Sequence, residues 1–521
     1  MPEPYHSTVE ILAAAALEAP DAQALVCGGE RLSYGEYARC AAGLAGELTA
    51  LGAAGGRVAL VLGNSVDICI AIFAIHAAQA QAVPLNPLYT ARELREILAD
   101  AEPHVLMFDA EKRDVPEPLA DELGIPHAWA VGKGGRRLSQ WRDDESAILA
   151  RPYPDPSSFA TLQYTGGTTG RAKGVNLSHG AIAANIRQWQ GVIPTRPEIE
   201  RLLCVMPLFH VYAASMMYNM VYSRSCLVIL ERYDAAATLA TFARDAITIF
   251  AGSPTLFTGL IAHVDFGKTD FSSLYFCYSG SAPLPEDLCR RWQRATGAPV
   301  LEGYGQTECG PIVSFNPLAG PHKPGSVGIA LPDTEIEIVD LETGAHVLPI
   351  GEAGEIRVRG PQIMAGYRNL PDETAATLQN GWLHTTDIGE FDEDGYLYIR
   401  DRKKEMVLVS GYNVFPREIE EVLHRHGGVL EAAVVGVPHP YKGEAVVAAV
   451  VPRAGAALDN EVLTDFCRGQ LAPYKVPSRF EIMAALPKTG VGKIDKAALR
   501  ACLAPLHEKM IGEKNAERGN R

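Results

Sequence analysis

The sequence predicts an α/β protein. The expected plan is a large N-terminal domain of two doubly wound sheets plus a small β-barrel, followed by a smaller α+β domain. Three observations carry it. Apolar β-runs and helical periodicities alternate over the first 330 residues. Short, alternating, Gly-bounded segments replace them from about 325 to 400. A charge cluster at 401–405, DRKKE, then precedes a compact unit with its own strands and helices.

In chain order, RVALVLGN (57–64) reads as a strand and SVDICIAIFAIHAAQA (65–80) as a helix. QAVPL is extended, TARELREILADAE is a capped helix and HVLMFD is a strand. The alternation recurs from about 200 to 300: LLCVMPL, a helical stretch, CLVIL, a helix, AITIFAGSP and LYFCYSGSAPL. TEIEIVD, GEIRVRG and GYLYIRD then suggest an antiparallel sheet or small barrel. After a boundary near 402 come a helix (PREIEEVLHRH), two strands (EAAVVGVP, EAVVAAVVP), a helix (NEVLTDFCRGQL) and a strand (SRFEIMAAL). The polar stretch 508–521 is expected to fray. The domains are therefore 1–401 and 402–521.

Composition narrows the function. The 521 residues are 47% apolar and carry a net charge of −15, from 47 Lys+Arg against 62 Asp+Glu. That balance argues against wrapping nucleic acid but leaves room for one local cationic pocket. The N-terminus has no positive leader region, and no run reaches the ~18 apolar residues of a membrane span. The ten cysteines lack metal-ligand spacing and read as reduced thiols, so a cytoplasmic location is expected.

Four motifs carry chemistry. The first runs from Tyr164 to Gly174 and holds Thr165, Gly166, Gly167, Thr168, Thr169, Gly170, Arg171 and Lys173. Glycines free backbone N–H groups, threonines add donors and cations add charge, which together cradle phosphate oxygens. The spacing is not that of a Walker A loop. The second, Gly303-Tyr304-Gly305-Gln306-Thr307-Glu308, joins a ring suited to stacking on a purine to oxygens suited to Mg²⁺. The third is GWLHTTD, ending at Asp387, with Asp401-Arg402 downstream; a carboxylate there suits a ribose diol. The fourth, PKTGVGK, sets Lys493 on a glycine-rich loop, where a lysine is ordinarily just solvated.

This ordered set resembles the adenylate-forming superfamily, which includes acyl-CoA synthetases, 4-coumarate–CoA ligases, luciferases and peptide-synthetase adenylation domains. The resemblance spans nearly the whole chain. It implies that 1–401 binds ATP and a carboxylic acid and that 402–521 is a mobile lid. By similarity, Thr165 and the loop to Lys173 hold the ATP phosphates, and Gly280, Ser281 and Ala282 flank the adenine. Tyr304, between Gly303 and Gly305, stacks on the base. Thr307 and Glu308 handle the α-phosphate and Mg²⁺, and Asp387 and Arg402 bind the ribose. Lys493 is the catalytic lysine and Lys404 the hinge. Gly411 and Tyr412 line the CoA tunnel. His210, Tyr212, Gly280 and Gly305 border the acyl pocket. Two departures from the pattern stand out: Ala172 where a proline is usual, and Thr386 where a glycine is common.

The implied activity is that of an ATP-dependent carboxylic acid–CoA ligase releasing AMP and pyrophosphate. The segments expected at the acyl pocket, PLFHVYAASMMYNM, AGSPTLF, YSGSA and EGYGQ, contain no arginine, so a hydrophobic monocarboxylate fits best. Gly280, Gly303 and Gly305 are expected to leave room for it. A medium- to long-chain fatty acid is favoured. The alternatives are an aryl acid, or a free-standing adenylation enzyme that loads a carrier protein.

Overall fold

The computed structural model describes residues 5–165, 172–410, 412–489 and 493–519; the side chains beyond His507 are outside it. Two large sheets form the body. The seven-stranded one has a parallel core, Phe159–Thr165, Gln81–Pro84, Arg57–Val61, Val105–Asp109 and His127–Val131. Lys173–Ser178 and Gly366–Tyr367 extend it antiparallel. The nine-stranded one has six parallel strands, Val300–Gly305, Phe276–Ser279, Ile249–Gly252, Arg201–Cys204, Cys226–Ile229 and Gln23–Cys27, flanked by antiparallel edges.

The helix Val66–Ala77 shows why the two sheets share one core. Ten of its twelve residues are buried, because it is apolar all round and packs between layers rather than on a surface. Ser65 caps it by accepting the N–H of Ile68. The expected cap on Ala91–Ala101 is a full capping box between Thr90 and Glu93. The helices His179–Val192 and Val211–Tyr222 complete the layer between the sheets. The alanine-rich N-terminal stretch folds as the helix Thr8–Glu18, which buries Val9, Ile11 and Leu12 in that core.

Residues 335–402 form an antiparallel sheet, Glu335–Val339, Gly354–Arg359, Trp382–Phe391 and Leu378–Gln379, with Leu397–Arg402 also paired to Trp382–Phe391. Among the described residues no ladder joins its edges, so of the sheet and barrel expected here the pairing is that of a sheet.

The ladder of that sheet reaches Arg402, and the next strand, Val407–Val409, belongs to a fourth sheet with Tyr412–Val414, Gly443–Pro452, Val429–His439 and Arg479–Ile482. Its two long Val/Ala strands are buried on both faces. Helices Pro416–Arg425 and Asn460–Arg468 cover one face and Lys496–Gly519 the other. The stretch expected to fray continues this last helix to Gly519. Its Glu, Lys, Ala and Arg are strong helix formers, and propensity outweighs polarity there.

Candidate active site

The site lies where the body strands end and the C-terminal unit meets them. Its pivot is Asp387. Asp387 and Arg402 are direct cross-strand partners, and Arg402 Nε stands 3.6 Å from Asp387 Oδ1. On the other oxygen, Oδ2 accepts the Tyr304 hydroxyl at 2.7 Å and the Gln306 amide at 2.7 Å. Gln306 also donates to the carbonyl of Thr385 at 2.9 Å. The buried carboxylate is thus fixed by three groups from two sheets, as a buried charge requires.

The backbone beside it is kinked. Thr386 has φ +60°, an unusual value for a β-branched residue. The cost is held by neighbours: Glu355 Oε1 accepts the Thr386 N–H at 3.1 Å, and the Thr386 carbonyl accepts the Lys403 N–H at 2.8 Å. Glu355 also pairs with Lys403 Nζ at 3.1 Å. From Ile388 to His384 the strand advances four residues while its partner advances two, from Glu355 to Arg357. This bulge turns Asp387 towards Tyr304. The glycine common in the resembling family relieves that conformation, and this chain tolerates threonine because the turn is bonded on both sides.

Around Glu308 a second chain of contacts forms. The hydroxyl of Tyr367 donates to Glu308 Oε1 at 3.0 Å, and the Met364 N–H reaches the Glu308 carbonyl at 2.9 Å. Lys173 Nζ lies 5.2 Å from the centre of the Tyr367 ring and is ion-paired with Glu373. Thr165 is the cross-strand partner of Lys173. Gly166, Gly167, Thr168, Thr169, Gly170 and Arg171, the loop between them, lie outside the described residues. Thr307 is buried in the turn that presents Glu308.

Two of the glycines have a different purpose from the one expected. A Cβ on Gly305 would stand 1.8 Å from the Pro311 carbonyl oxygen, and one on Gly303 would stand 2.4 Å from the Phe315 ring. Both positions allow close packing within the protein rather than leaving space for an acyl group. Gly280 differs: its Cβ direction meets the Tyr212 ring at an ordinary 3.6 Å, so a side chain there would touch Tyr212 without a clash. Ser281, at φ +70°, and Ala282 follow it in the turn after Phe276–Ser279.

Lys493 enters from the C-terminal unit. Its loop is closed by the bridge Lys488–Ile494 and by the Thr489 N–H donating to the Lys493 carbonyl at 2.7 Å. Burial, with the nearby Arg402 charge, pushes its ammonium down to about 8, against the pull of Asp387. His210 feels the same lysine. Burial first and Lys493 second push its imidazole down to about 4, so it is neutral at neutral pH. His210 caps Val211–Tyr222, its Nδ1 accepting the Tyr212 N–H at 3.2 Å. The neutral ring therefore carries its proton on Nε2.

Lys404 is exposed in the turn that follows Arg402, where Glu405 N–H and Met406 N–H both reach the Arg402 carbonyl. Tyr412 stacks on Tyr474 at 4.5 Å within the C-terminal unit, while Gly411 lies outside the described residues. The structure thus gathers Asp387, Arg402, Tyr304, His210 and Lys493, sets Glu308 and Lys173 beside Tyr367, and leaves Tyr412 on the surface. Gln306 and Tyr367 were not singled out from sequence. Gln306 sits inside a motif already recognised, between its ring and its acid. Tyr367 has no local signal, since only the fold brings it to Glu308.

As a test of fit for a divalent cation, Glu308 offers a half-buried carboxylate with one oxygen bonded by Tyr367, next to the Thr307 hydroxyl. No cluster of three or more His, Cys, Asp or Glu occurs among the described residues. A single carboxylate that shares its ion with substrate phosphates is the pattern Mg²⁺ prefers.

The chain is similar to known proteins over most of its length. The family model for AMP-binding enzymes matches residues 12–368, and that for the AMP-binding enzyme C-terminal domain matches 418–493. The chain is 37% identical to a long-chain-fatty-acid–CoA ligase of Bacillus subtilis, over 95% of this chain and 94% of that one. It is 34% identical to a probable CoA ligase of Humulus lupulus, over 93% and 94%. Among solved structures, ATP-bound MatB from Rhodopseudomonas palustris superposes with a TM-score of 0.88 at 33% identity, over 96% of this chain and 99% of that one. An anthranilate–CoA ligase bound to anthranoyl-AMP gives 0.90 at 27%, over 98% and 99%. The chain belongs to the AMP-binding enzyme family, the adenylate-forming enzymes that its ordered motifs resemble.

Proposed function

We propose that this protein is an ATP-dependent acid–CoA ligase whose acid is a hydrophobic monocarboxylate, a fatty acid by preference. The observation that carries the reading is the convergence of Lys493, from the C-terminal unit, on Arg402, Asp387 and His210. Relatives named as long-chain-fatty-acid–CoA ligases support the choice of acid.

In the first half-reaction a carboxylate oxygen attacks the α-phosphorus. An acyl–oxygen–phosphorus bond forms and the bond to pyrophosphate breaks. No base is needed, because the nucleophile is already ionised. The barrier is the meeting of two anions. Lys493, charged at neutral pH, lowers it by pairing with both, and the Nε2–H of neutral His210 orients the carboxylate without adding charge. Asp387, held by Tyr304 and Gln306, accepts the ribose hydroxyls. Thr165, Lys173 and the loop between them hold the phosphates, for which Lys173 must leave Glu373. Gly280 to Ala282 and Tyr304 flank the base. Glu308 with Thr307 would hold Mg²⁺, which supplies charge neutralisation on the phosphates.

In the second half-reaction the CoA thiolate attacks the acyl carbonyl. The carbon–sulfur bond forms and AMP leaves. Residues 402–521 act as a lid that turns about Lys404, withdraws Lys493 and brings Gly411 and Tyr412 to the thiol's path. Ten unpaired cysteines, and the absence among the described residues of any helix long and apolar enough to cross a membrane, support a cytoplasmic enzyme.

The test is a screen of saturated fatty acids and aryl acids for AMP release with and without CoA. Fatty acids are expected to drive release that depends on CoA. A response confined to aryl acids would overturn the choice of acid, and release indifferent to CoA would overturn the acceptor.

A further inference from the structure

The first motif begins at Tyr164 and ends at Gly174, and neither end has a part in the half-reactions above. The two are direct cross-strand partners, and the next pair on their ladder is Thr165 with Lys173. They are therefore the base from which the loop assigned to the ATP phosphates leaves its sheet. Both ends are tied to one distant residue. The Tyr164 hydroxyl donates to Asp100 Oδ2 at 2.6 Å, across 64 positions of sequence. The Gly174 carbonyl accepts the Arg368 N–H at 2.7 Å, and Arg368 Nε donates in turn to the Asp100 carbonyl at 2.6 Å. Beside it, the Asn369 amide donates to Asp100 Oδ1 at 3.2 Å.

The residue types fit this arrangement. Tyr164 is buried in an apolar cluster with Leu98 and Leu162, where a phenylalanine ring would pack as well. What tyrosine adds is the hydroxyl, and it is spent on Asp100. Burial and the Asp100 carboxylate push the phenol up, so it stays protonated and donates. A Cβ on Gly174 would stand 2.9 Å from Leu162 Cδ1 and 3.2 Å from Tyr164 Cζ, so glycine lets the Tyr164 ring lie against the opposite strand. Asp100 sits in the last turn of the helix Ala91–Ala101, where a carboxylate opposes the helix dipole. The helix end is served by cations instead, Arg368 on the Asp100 carbonyl and Arg57 on that of Ala101. The acid at this place gains from what it holds across the gap, not from its own helix.

From Asp100 two short paths lead to the site. One is the ladder itself, since Thr165 and Lys173 follow Tyr164 and Gly174 directly. The other runs through Tyr367, the neighbour of Arg368, which pairs with Val175 and donates its hydroxyl to Glu308 at 3.0 Å. The strand Gly366–Tyr367 has only two residues, so its ladder is short. Arg368 and Asn369 on Asp100 extend its hold beyond that ladder. Groups that bind phosphates act by preorganisation, and strand ends held at a fixed spacing by a third element provide it.

We propose that Asp100 is a positioning residue for ATP: it holds Tyr164 directly and Gly174 through Arg368 at the spacing the phosphate loop needs, and it keeps Tyr367 in register with Glu308. It acts through these residues rather than on the nucleotide. The inference rests on the adenylating activity proposed above and adds to it a residue outside all four motifs.

The experiment measures the Kd of MgATP by calorimetry in the absence of acid, and the KM for ATP in acid-dependent pyrophosphate exchange. Conversion of supplied acyl-AMP by CoA and the urea midpoint are read beside them. Asp100→Ala is expected to raise both ATP constants about tenfold or more, with an effect below about threefold on the acyl-AMP step. Asp100→Asn, which keeps an acceptor for Tyr164, should bring the ATP constants back to within about threefold of wild type. Tyr164→Phe keeps the ring against Gly174 and drops only the hydroxyl; it should raise them about three- to tenfold, and it decides the matter if Asp100→Ala does not fold. A lower urea midpoint with unchanged ATP constants, or equal losses in both half-reactions, would overturn the positioning role. A wild-type protein that binds no MgATP would instead overturn the reading on which it rests.

Discussion

The body and the C-terminal unit hold their charged groups in opposite ways. In the body the acids are locked. Asp387 is tied to Tyr304, Gln306 and Arg402, and Glu308 to Tyr367. In the C-terminal unit the cation is delivered on a loop. Among the described residues Lys493 Nζ makes no hydrogen bond or ion pair, and what it feels is burial and the Arg402 charge. Groups that bind the nucleotide in both half-reactions profit from preorganisation. A group needed in only one of them profits from being removable.

The largest effect that sharpens this contrast belongs to the connection between the two. Lys404→Pro fixes one φ in the exposed turn after Arg402. Thioester formation from supplied acyl-AMP should fall by about 100-fold or more, with acid-dependent pyrophosphate exchange retained. Normal CoA ligation by this variant would remove the hinge.

A pH profile separates the delivered group from the locked ones. Burial lowers the Lys493 ammonium to about 8, so the charged form dominates below that value and is lost as pH rises through it. The kcat/KM for adenylation should fall above pH 8, approaching tenfold per unit. Conversion of supplied acyl-AMP, which under the proposed mechanism does not use Lys493, should lack that limb. A limb shared by both half-reactions would assign it to another group.

The smallest effect tests the locked half. Thr386 adopts φ +60°, at a cost of about 1–2 kcal/mol. Thr386→Gly removes that cost and adds about 0.5–1 kcal/mol of unfolded-state entropy. The variant should be more stable in urea by about 0.5–1 kcal/mol, with an unchanged KM for ATP. A destabilised variant would show that the threonine side chain itself supports the turn.

Much of this was legible in the sequence, for a physical reason. The strands at 57–61 and 105–109, the capped helix at 91–101 and the alternating segments of 335–402 follow local patterns of burial and capping. The resemblance carried by the ordered motifs named Asp387, Arg402, Glu308, His210 and Lys493; taken singly, Lys493 and His210 had no distinguishing signal. What stayed hidden depends on residues far apart in the chain. Tyr367 meets Glu308 across 59 positions, and Gln306 meets Asp387 across 81. Gly303 and Gly305 suggested open space, but Phe315 and Pro311 fill it. The terminal helix was masked by its polarity: among its described side chains the buried apolar ones are Leu499 and Leu503, against the last sheet.

The central claim is that Lys493 is carried to the locked site for the first half-reaction alone. It is tested most directly by measuring both half-reactions in Lys493→Ala. Acid-dependent ATP–pyrophosphate exchange should fall by about 100- to 1,000-fold, while supplied acyl-AMP and CoA should still give thioester at the wild-type rate. An equal loss in both half-reactions would contradict it.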